Sequence, residues 1–182
     1  MDESPIKDTL YQAISQLSES RIQKELSSGN KGKIVAEILL KCLPEISKID
    51  GDEYENFGMF AESLTHYLLT NALIPSQRKI KKDDVSIDVV IPDVRTLNSA
   101  QKNSLILYFA KTSDKTSIIK SLEKIQSVQP HKENIFVIMK TKMEIPYKTY
   151  AVDSTAGFVT ILDDIDVFFA SRPQSKFKIF RT

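Results

Sequence analysis

Two acidic residues and a lysine stand in sequence patterns that could place a divalent metal beside a phosphate. Glu62 lies in a helical pattern, Asp88 lies in an alternating apolar pattern, and Lys111 follows an apolar run. Carboxylate oxygens bind Mg²⁺, and a bound metal lowers the pKa of its water and neutralises charge in the transition state. A lysine beside that water stabilises the developing negative charge. These residue types indicate metal-dependent phosphodiester chemistry, provided that the fold brings them together.

Each of these residues also has an ordinary structural explanation. Glu62 can pair with His66 one helical turn later, and Lys111 can end a buried strand and reach water. Asp88 is harder to explain in this way, because aspartate is disfavoured within strands. His66 and His131 lack the spacing of a zinc site, so we interpret them as surface or hydrogen-bonded residues. Both explanations of the acids and the lysine stay open.

The elements that must position these residues follow from the periodicity of apolar side chains. Helical spacing predicts helices over residues 4–26, 31–43, 53–71, 114–128 and 163–170. Alternating or continuous apolar runs predict strands over residues 78–82, 85–91, 104–110, 134–139, 147–153 and 176–180. A strand, a helix and a strand in succession predict a parallel pair. We expect an α/β domain with a mixed central β-sheet flanked by helices.

Two finer expectations concern the strand over 85–91 and the segment after it. Strict alternation puts Ile87 and Val89 on one face of this strand and Asp88 on the other. The polar residues over 92–102 predict a loop.

The order of the acids and the lysine resembles the PD-(D/E)XK (restriction-endonuclease-like) nuclease superfamily, in its archaeal Holliday-junction-resolvase-like branch. Residues 60–69 resemble the acid-bearing helix of that family, and residues 86–91 resemble its metal-binding strand. Residues 107–112 resemble its (D/E)-X-K strand. The likeness covers about residues 53–170.

The resemblance implies both a fold and a set of roles. Residues 51–182 would form a restriction-endonuclease-like α/β domain, and residues 1–50 would form an N-terminal helical extension. Glu62 and Asp88 would ligate Mg²⁺, and Lys111 would serve the attacking water. All three would then be catalytic residues of a DNA endonuclease.

One position departs from the pattern of the family. The family has an acid two residues before the lysine, and this chain has Phe109 there. Asp84, Asp93 and Asp114 are the nearest acids, and none stands where a replacement ligand is needed. The predicted nuclease site is therefore incomplete.

Positive charge is concentrated in the first predicted strand, at Arg78, Lys79, Lys81 and Lys82. The whole chain has a formal net charge of only +1, so a nucleic-acid partner would need such a local patch. The cluster suits phosphate contact and also suits protection of a sheet edge. We expect a nucleic-acid-binding domain. The alternative is a non-catalytic protein-interaction or assembly subunit, because the apolar stripe of the first helix suits a homodimer or a partner helix.

Composition narrows the class of protein. Hydrophobic residues make up 41% of the chain and charged residues 27%, which suits one globular domain. A single cysteine, Cys42, excludes an intramolecular disulfide. No stretch reaches 18 apolar residues, and the acidic start lacks the pattern of a signal peptide. We expect a cytoplasmic protein without a membrane partner.

Overall fold

The computed structural model describes residues 4–171. Within that range it contains helices α1 Pro5–Leu17, α2 Glu19–Ser27, α3 Lys31–Ile46, α4 Glu53–Asn71, α5 Val94–Ser99, α6 Lys115–Val128 and α7 Thr155–Ala170. The strands are β1 Gln77–Lys82, β2 Val85–Ile91, β3 Leu105–Phe109, β4 Ile135–Met139 and β5 Lys148–Ala151. The predicted strand over 176–180 lies outside the described residues. None of the described helices is long and apolar enough to cross a membrane.

The five strands form one mixed sheet in the order β1-β2-β3-β4-β5. The hairpin partners β1 and β2 are antiparallel, as are β2 and β3. Strand β4 runs parallel to both β3 and β5, and α6 connects β3 to β4 as the sequence predicted. The predicted fold class, a mixed central sheet flanked by helices, is confirmed.

Two hydrophobic clusters lie on the two faces of this sheet. The first cluster packs α1, α3, α4 and α7 against one face, and the second packs α5 and α6 against the other. Consecutive residues of β3 enter different clusters, with Leu107 in the first and Ile106 in the second. This double burial explains why β3 is a nearly continuous apolar run.

The predicted helix over 4–26 is in fact two helices. Ser18 has a φ of 61°, which no helix residue adopts, and its hydroxyl accepts a hydrogen bond from the Arg21 N–H as the N-cap of α2. The apolar stripe of α1 is buried in the first cluster; its members are Ile6, Leu10, Ala13, Ile14 and Leu17. The stripe that suggested a homodimer is therefore used inside the chain.

The start of α7 also differs from the prediction. This helix begins at Thr155 rather than at residue 163. A Cβ at Gly157 would lie 1.7 Å from the carbonyl oxygen of Ala151, so glycine allows the first turn of α7 to pack directly on the end of β5. That close approach depends on tertiary packing, which the local pattern does not show.

The predicted loop over 92–102 contains the short helix α5. Its N-cap is Asp93, whose carboxylate accepts a hydrogen bond from the Thr96 N–H at 2.7 Å. Helix α3 extends beyond its predicted end at residue 43. It continues to Ile46 although Pro44 lies inside it.

Candidate functional site

At Asp88, the side chains of β1 and β2 stop alternating regularly between the two faces of the sheet. Ile87 packs in the second cluster, whereas Val89 packs in the first, so the strict alternation predicted for this strand is wrong. Lys79 lies opposite Asp88 in the hairpin register and has a φ of 49°. This left-handed backbone is rare for a side chain as large as lysine, and it turns both strands at the point where Asp88 stands.

The structure brings the predicted acids and lysine together. The Nζ atom of Lys111 lies 2.9 Å from Oε2 of Glu62 and 3.4 Å from Oδ1 of Asp88. Glu62 comes from α4, Asp88 from β2, and Lys111 from the chain just after β3. Their proximity is a fact of the fold, and their catalytic roles stay predictions.

A fourth residue, Arg78 of β1, completes the arrangement. Its Nη2 donates to Oε1 of Glu62 at 2.7 Å, and its Nε donates to the same oxygen at 3.3 Å. We call Glu62, Arg78, Asp88 and Lys111 the ion-pair quartet. The sequence assigned Arg78 to nucleic-acid contact, which stays a prediction; in the structure its guanidinium group points toward α4 and also lines the cleft beside it.

A glycine allows this convergence. Gly58 lies one helical turn before Glu62, and a Cβ there would lie 2.7 Å from Cγ of Lys111 and 2.8 Å from the carbonyl oxygen of Ala110. Helix α4 can thus lie directly on the chain that follows β3. The contact supports the stem of Lys111, so that its ammonium group reaches the carboxylates.

Burial and charge oppose each other in the quartet. Burial would raise the pKa of Glu62, but hydrogen bonds from Arg78 and Lys111 outweigh it and hold that pKa below its ordinary value. Burial raises the pKa of Asp88, and the charge of Lys111 offsets only part of this effect. Burial would lower the pKa of Lys111, but the two carboxylates hold it above its ordinary value. Two cations thus balance two carboxylates.

The position where the family has its third acid is part of the hydrophobic core. Phe109 is 1% exposed and packs in the first cluster. Its backbone N–H donates to Oδ2 of Asp88 at 2.9 Å. The three acids considered as replacements are engaged elsewhere: Asp84 pairs with a lysine of the hairpin, and Asp93 and Asp114 cap helices. Phe109 therefore supplies a backbone donor and no carboxylate.

The residues present do not fit the Mg²⁺ that the resemblance implies. Both oxygens of Glu62 and both oxygens of Asp88 already accept hydrogen bonds. Among residues 4–171, no group of three or more His, Cys, Asp and Glu could hold a metal ion. Mg²⁺ needs a near-octahedral set of oxygen ligands, and here two protein cations already neutralise the carboxylates.

The residues of the basic cluster differ in their exposure. Lys79 and Lys81 are exposed, whereas Arg78 and Lys82 are partly buried. Lys82 pairs with Asp83 at 3.7 Å. The exposed pair remains accessible to an external anion.

A small cleft of about 140 Å³ opens beside the quartet. Lys7 of α1 and Lys79 of β1 line it together with Arg78 and Lys111. A second cleft of about 440 Å³ adjoins it and shares Lys7 and Arg78. Sequence reasoning missed Lys7, because only the packing of α1 on α4 brings residue 7 beside the sheet.

Comparison with known proteins gives information about the fold and not about the function. No family model matches the chain, and no curated protein matches it. A solved structure described as a complex of the restriction endonuclease PspGI with substrate DNA matches with a TM-score of 0.62 and 11% sequence identity. The match covers 93% of this chain and 94% of that chain. The chain therefore has a restriction-endonuclease-like fold, and its place in the resolvase-like branch stays a prediction.

Proposed function

We propose that this chain is a nucleic-acid-binding domain that contacts phosphates through a basic edge. We define the basic edge as Lys7 of α1 with Lys79 and Lys81 of β1. The observation that carries the proposal is that Lys7 and Lys79 line the cleft beside the quartet. Lys81 is an exposed lysine two residues further along β1. The fold likeness to an endonuclease in complex with DNA supports the proposal.

The charges of the basic edge differ from those of the quartet. Among the described residues, neither Lys7 nor Lys79 forms an ion pair, and Lys81 pairs only with the exposed Asp84. Ammonium groups that are not neutralised by the protein can replace the counterions of a phosphate backbone. A net charge of +1 gives the molecule little long-range attraction, so binding depends on this local set.

Hydrolysis is not part of the proposal. The resemblance implied catalysis by Glu62, Asp88 and Lys111 with Mg²⁺. The position of the remaining acid is occupied by the buried Phe109. The alternative of an assembly subunit has no specific support, because the stripe of α1 that suggested it is buried within the chain.

The test is fluorescence anisotropy with labelled duplex DNA, single-stranded DNA and RNA over a range of salt concentrations. The variant Lys79→Gln/Lys81→Gln is compared with Lys120→Gln/Lys124→Gln, which removes the same charge from exposed positions of α6. If both lysines of β1 contact phosphates, the slope of log affinity against log salt falls by roughly 1.8 in the β1 variant. Affinity near physiological salt falls about tenfold or more, and the α6 variant keeps the wild-type slope.

Two results would contradict the proposal. Equal losses in the two variants would show that the basic edge is not the binding surface. The absence of binding to all three nucleic acids at low salt would refute the function itself.

A further inference from the structure

We infer that the ion-pair quartet occupies the structural place of a divalent metal in this domain, so that the site binds no divalent cation. The Lys111 ammonium bridges the two carboxylates, as a metal would, and the Arg78 guanidinium takes the free oxygen of Glu62.

Two carboxylates that share a site repel each other unless a cation lies between them. Lys111 places its Nζ within 2.9 Å of Glu62 and 3.4 Å of Asp88, and its side chain is covalently fixed to the sheet. A divalent ion would have to displace this ammonium group and leave it without a partner.

Protein donors already occupy both carboxylate oxygens of Glu62. Glu62 is 2% exposed, and Arg78 and Lys111 each hold one of its oxygens. The carbonyl oxygen of Ala110 faces Gly58 at a distance that leaves no room for even a Cβ. With Phe109 in the core, the quartet has only two carboxylates. Glu55 lines the same cleft, but among the described residues no group of three or more His, Cys, Asp and Glu could hold a metal ion.

The quartet also joins the edge of the sheet to its centre. Arg78 directly precedes Lys79, and its bond to Glu62 ties β1 to α4. The quartet would thus fix the position of the basic edge without a metal. This last consequence rests on the proposed function, whereas the metal-free character of the site does not.

The experiment uses the full chain and no nucleic acid, so its failure is separate from failure of the proposed function. Mn²⁺ binding is measured by the loss of the free-ion EPR signal, and thermal unfolding is followed in EDTA and in millimolar Mn²⁺. Wild type is expected to bind no Mn²⁺ and to have the same Tm in both solutions.

Lys111→Met keeps the stem of the side chain and removes the charge. We expect its Tm in EDTA to fall by roughly 6 °C or more. Mn²⁺ should restore part of that loss, because the carboxylates of Glu62 and Asp88 are now free, and adding Asp88→Asn should abolish the recovery. The control Lys148→Ala removes a lysine that pairs with Asp164 at 2.9 Å, and Mn²⁺ should not restore its Tm.

Saturable Mn²⁺ binding by wild type that Asp88→Asn removes would overturn the inference. It would also be overturned if Lys111→Met left the Tm unchanged, or if Mn²⁺ restored nothing. If Lys111→Met does not fold, the comparison of wild type with Asp88→Asn decides the question: no Mn²⁺ binding by either supports the inference.

Discussion

The two ends of β3 carry buried polar clusters of opposite character. Just after the strand lies the charged ion-pair quartet, which joins side chains from α4, β1, β2 and the end of β3. Just before it lies a neutral cluster of side-chain amides and a hydroxyl. We call this second group the amide cluster; its members are Gln101, Ser104, Gln129 and Asn134.

The amide cluster completes the hydrogen bonding of the backbone. Gln129 is 0% exposed, and its Nε2 donates to the carbonyl oxygens of Gln101 at 2.9 Å and Ser104 at 2.8 Å. Asn134 donates to the carbonyl of Lys102. Buried backbone carbonyls need partners in any fold, so folding alone accounts for this cluster.

Backbone hydrogen bonding explains the quartet only in part, through the Phe109 N–H that donates to Asp88. The main bonds of the quartet run between side chains, and partly buried ion pairs commonly give less stability than apolar residues of similar size. The quartet lies beside a cleft that Lys7 and Lys79 also line, where we propose the contact with nucleic acid.

The largest effect on stability is expected at the centre of the quartet. Glu62→Ala leaves Arg78 and Lys111 without their carboxylate and should lower the free energy of unfolding by about 3 kcal/mol. Urea denaturation measures this loss. The control Glu123→Ala removes an exposed acid from α6 and should change stability by less than about 0.5 kcal/mol. Equal losses would mean that the quartet contributes no more than a surface charge.

A smaller effect is expected in the amide cluster. Gln129→Leu removes the side-chain donor to the buried carbonyl of Ser104, whereas the carbonyl of Gln101 still accepts from the N–H and the hydroxyl of Ser104. The loss should cost about 2 kcal/mol in the same urea experiment. Because no charge is removed, nucleic-acid affinity and its salt dependence should stay at the wild-type values. A fall in affinity comparable to that of Lys79→Gln/Lys81→Gln would show that the two clusters are not functionally distinct.

The smallest effect is on pH dependence, and it has opposite signs within the quartet. The lowered pKa of Glu62 contributes stability that is present above its unfolded value of 4.5 and is lost as pH falls below it. The raised pKa of Asp88 acts in the opposite sense, since its protonation relieves the cost of burial. In a plot of the free energy of unfolding against pH, Glu62→Gln should therefore reduce the slope on the acidic side, and Asp88→Asn should increase it. Urea denaturation between neutral pH and pH about 3 measures both slopes.

The amide cluster gives the control for this experiment. Gln129 has no titrating group, so the free energy of unfolding of Gln129→Leu should change with pH as steeply as that of wild type. A reduced slope in Asp88→Asn would contradict the assignment of opposite signs.

The sequence predicted the fold well because apolar periodicity is a local signal. The run over 104–110 and the helical spacing over 114–128 gave the parallel core of the sheet correctly. The break at Ser18 and the early start of α7 at Thr155 depend on a positive φ and on packing against β5, and neither has a periodic signature.

The site was predictable only in part. Glu62, Asp88 and Lys111 could be chosen from residue type and order, and the structure places them within hydrogen-bonding distance. The inward turn of Arg78 could not be foreseen, because it follows from the left-handed backbone of Lys79 that shifts the faces of both hairpin strands. A prediction that assumes strict alternation cannot include such a change of face.

The most direct test of the account is the affinity for labelled duplex DNA measured at constant ionic strength in EDTA and in Mg²⁺, with the product analysed on a denaturing gel. A binding domain whose site holds no metal should have equal affinities in the two solutions and should leave the strand intact in both. Binding that tightens tenfold in Mg²⁺, or cleavage that Asp88→Asn abolishes, would contradict this expectation and would make Glu62, Asp88 and Lys111 a nuclease site.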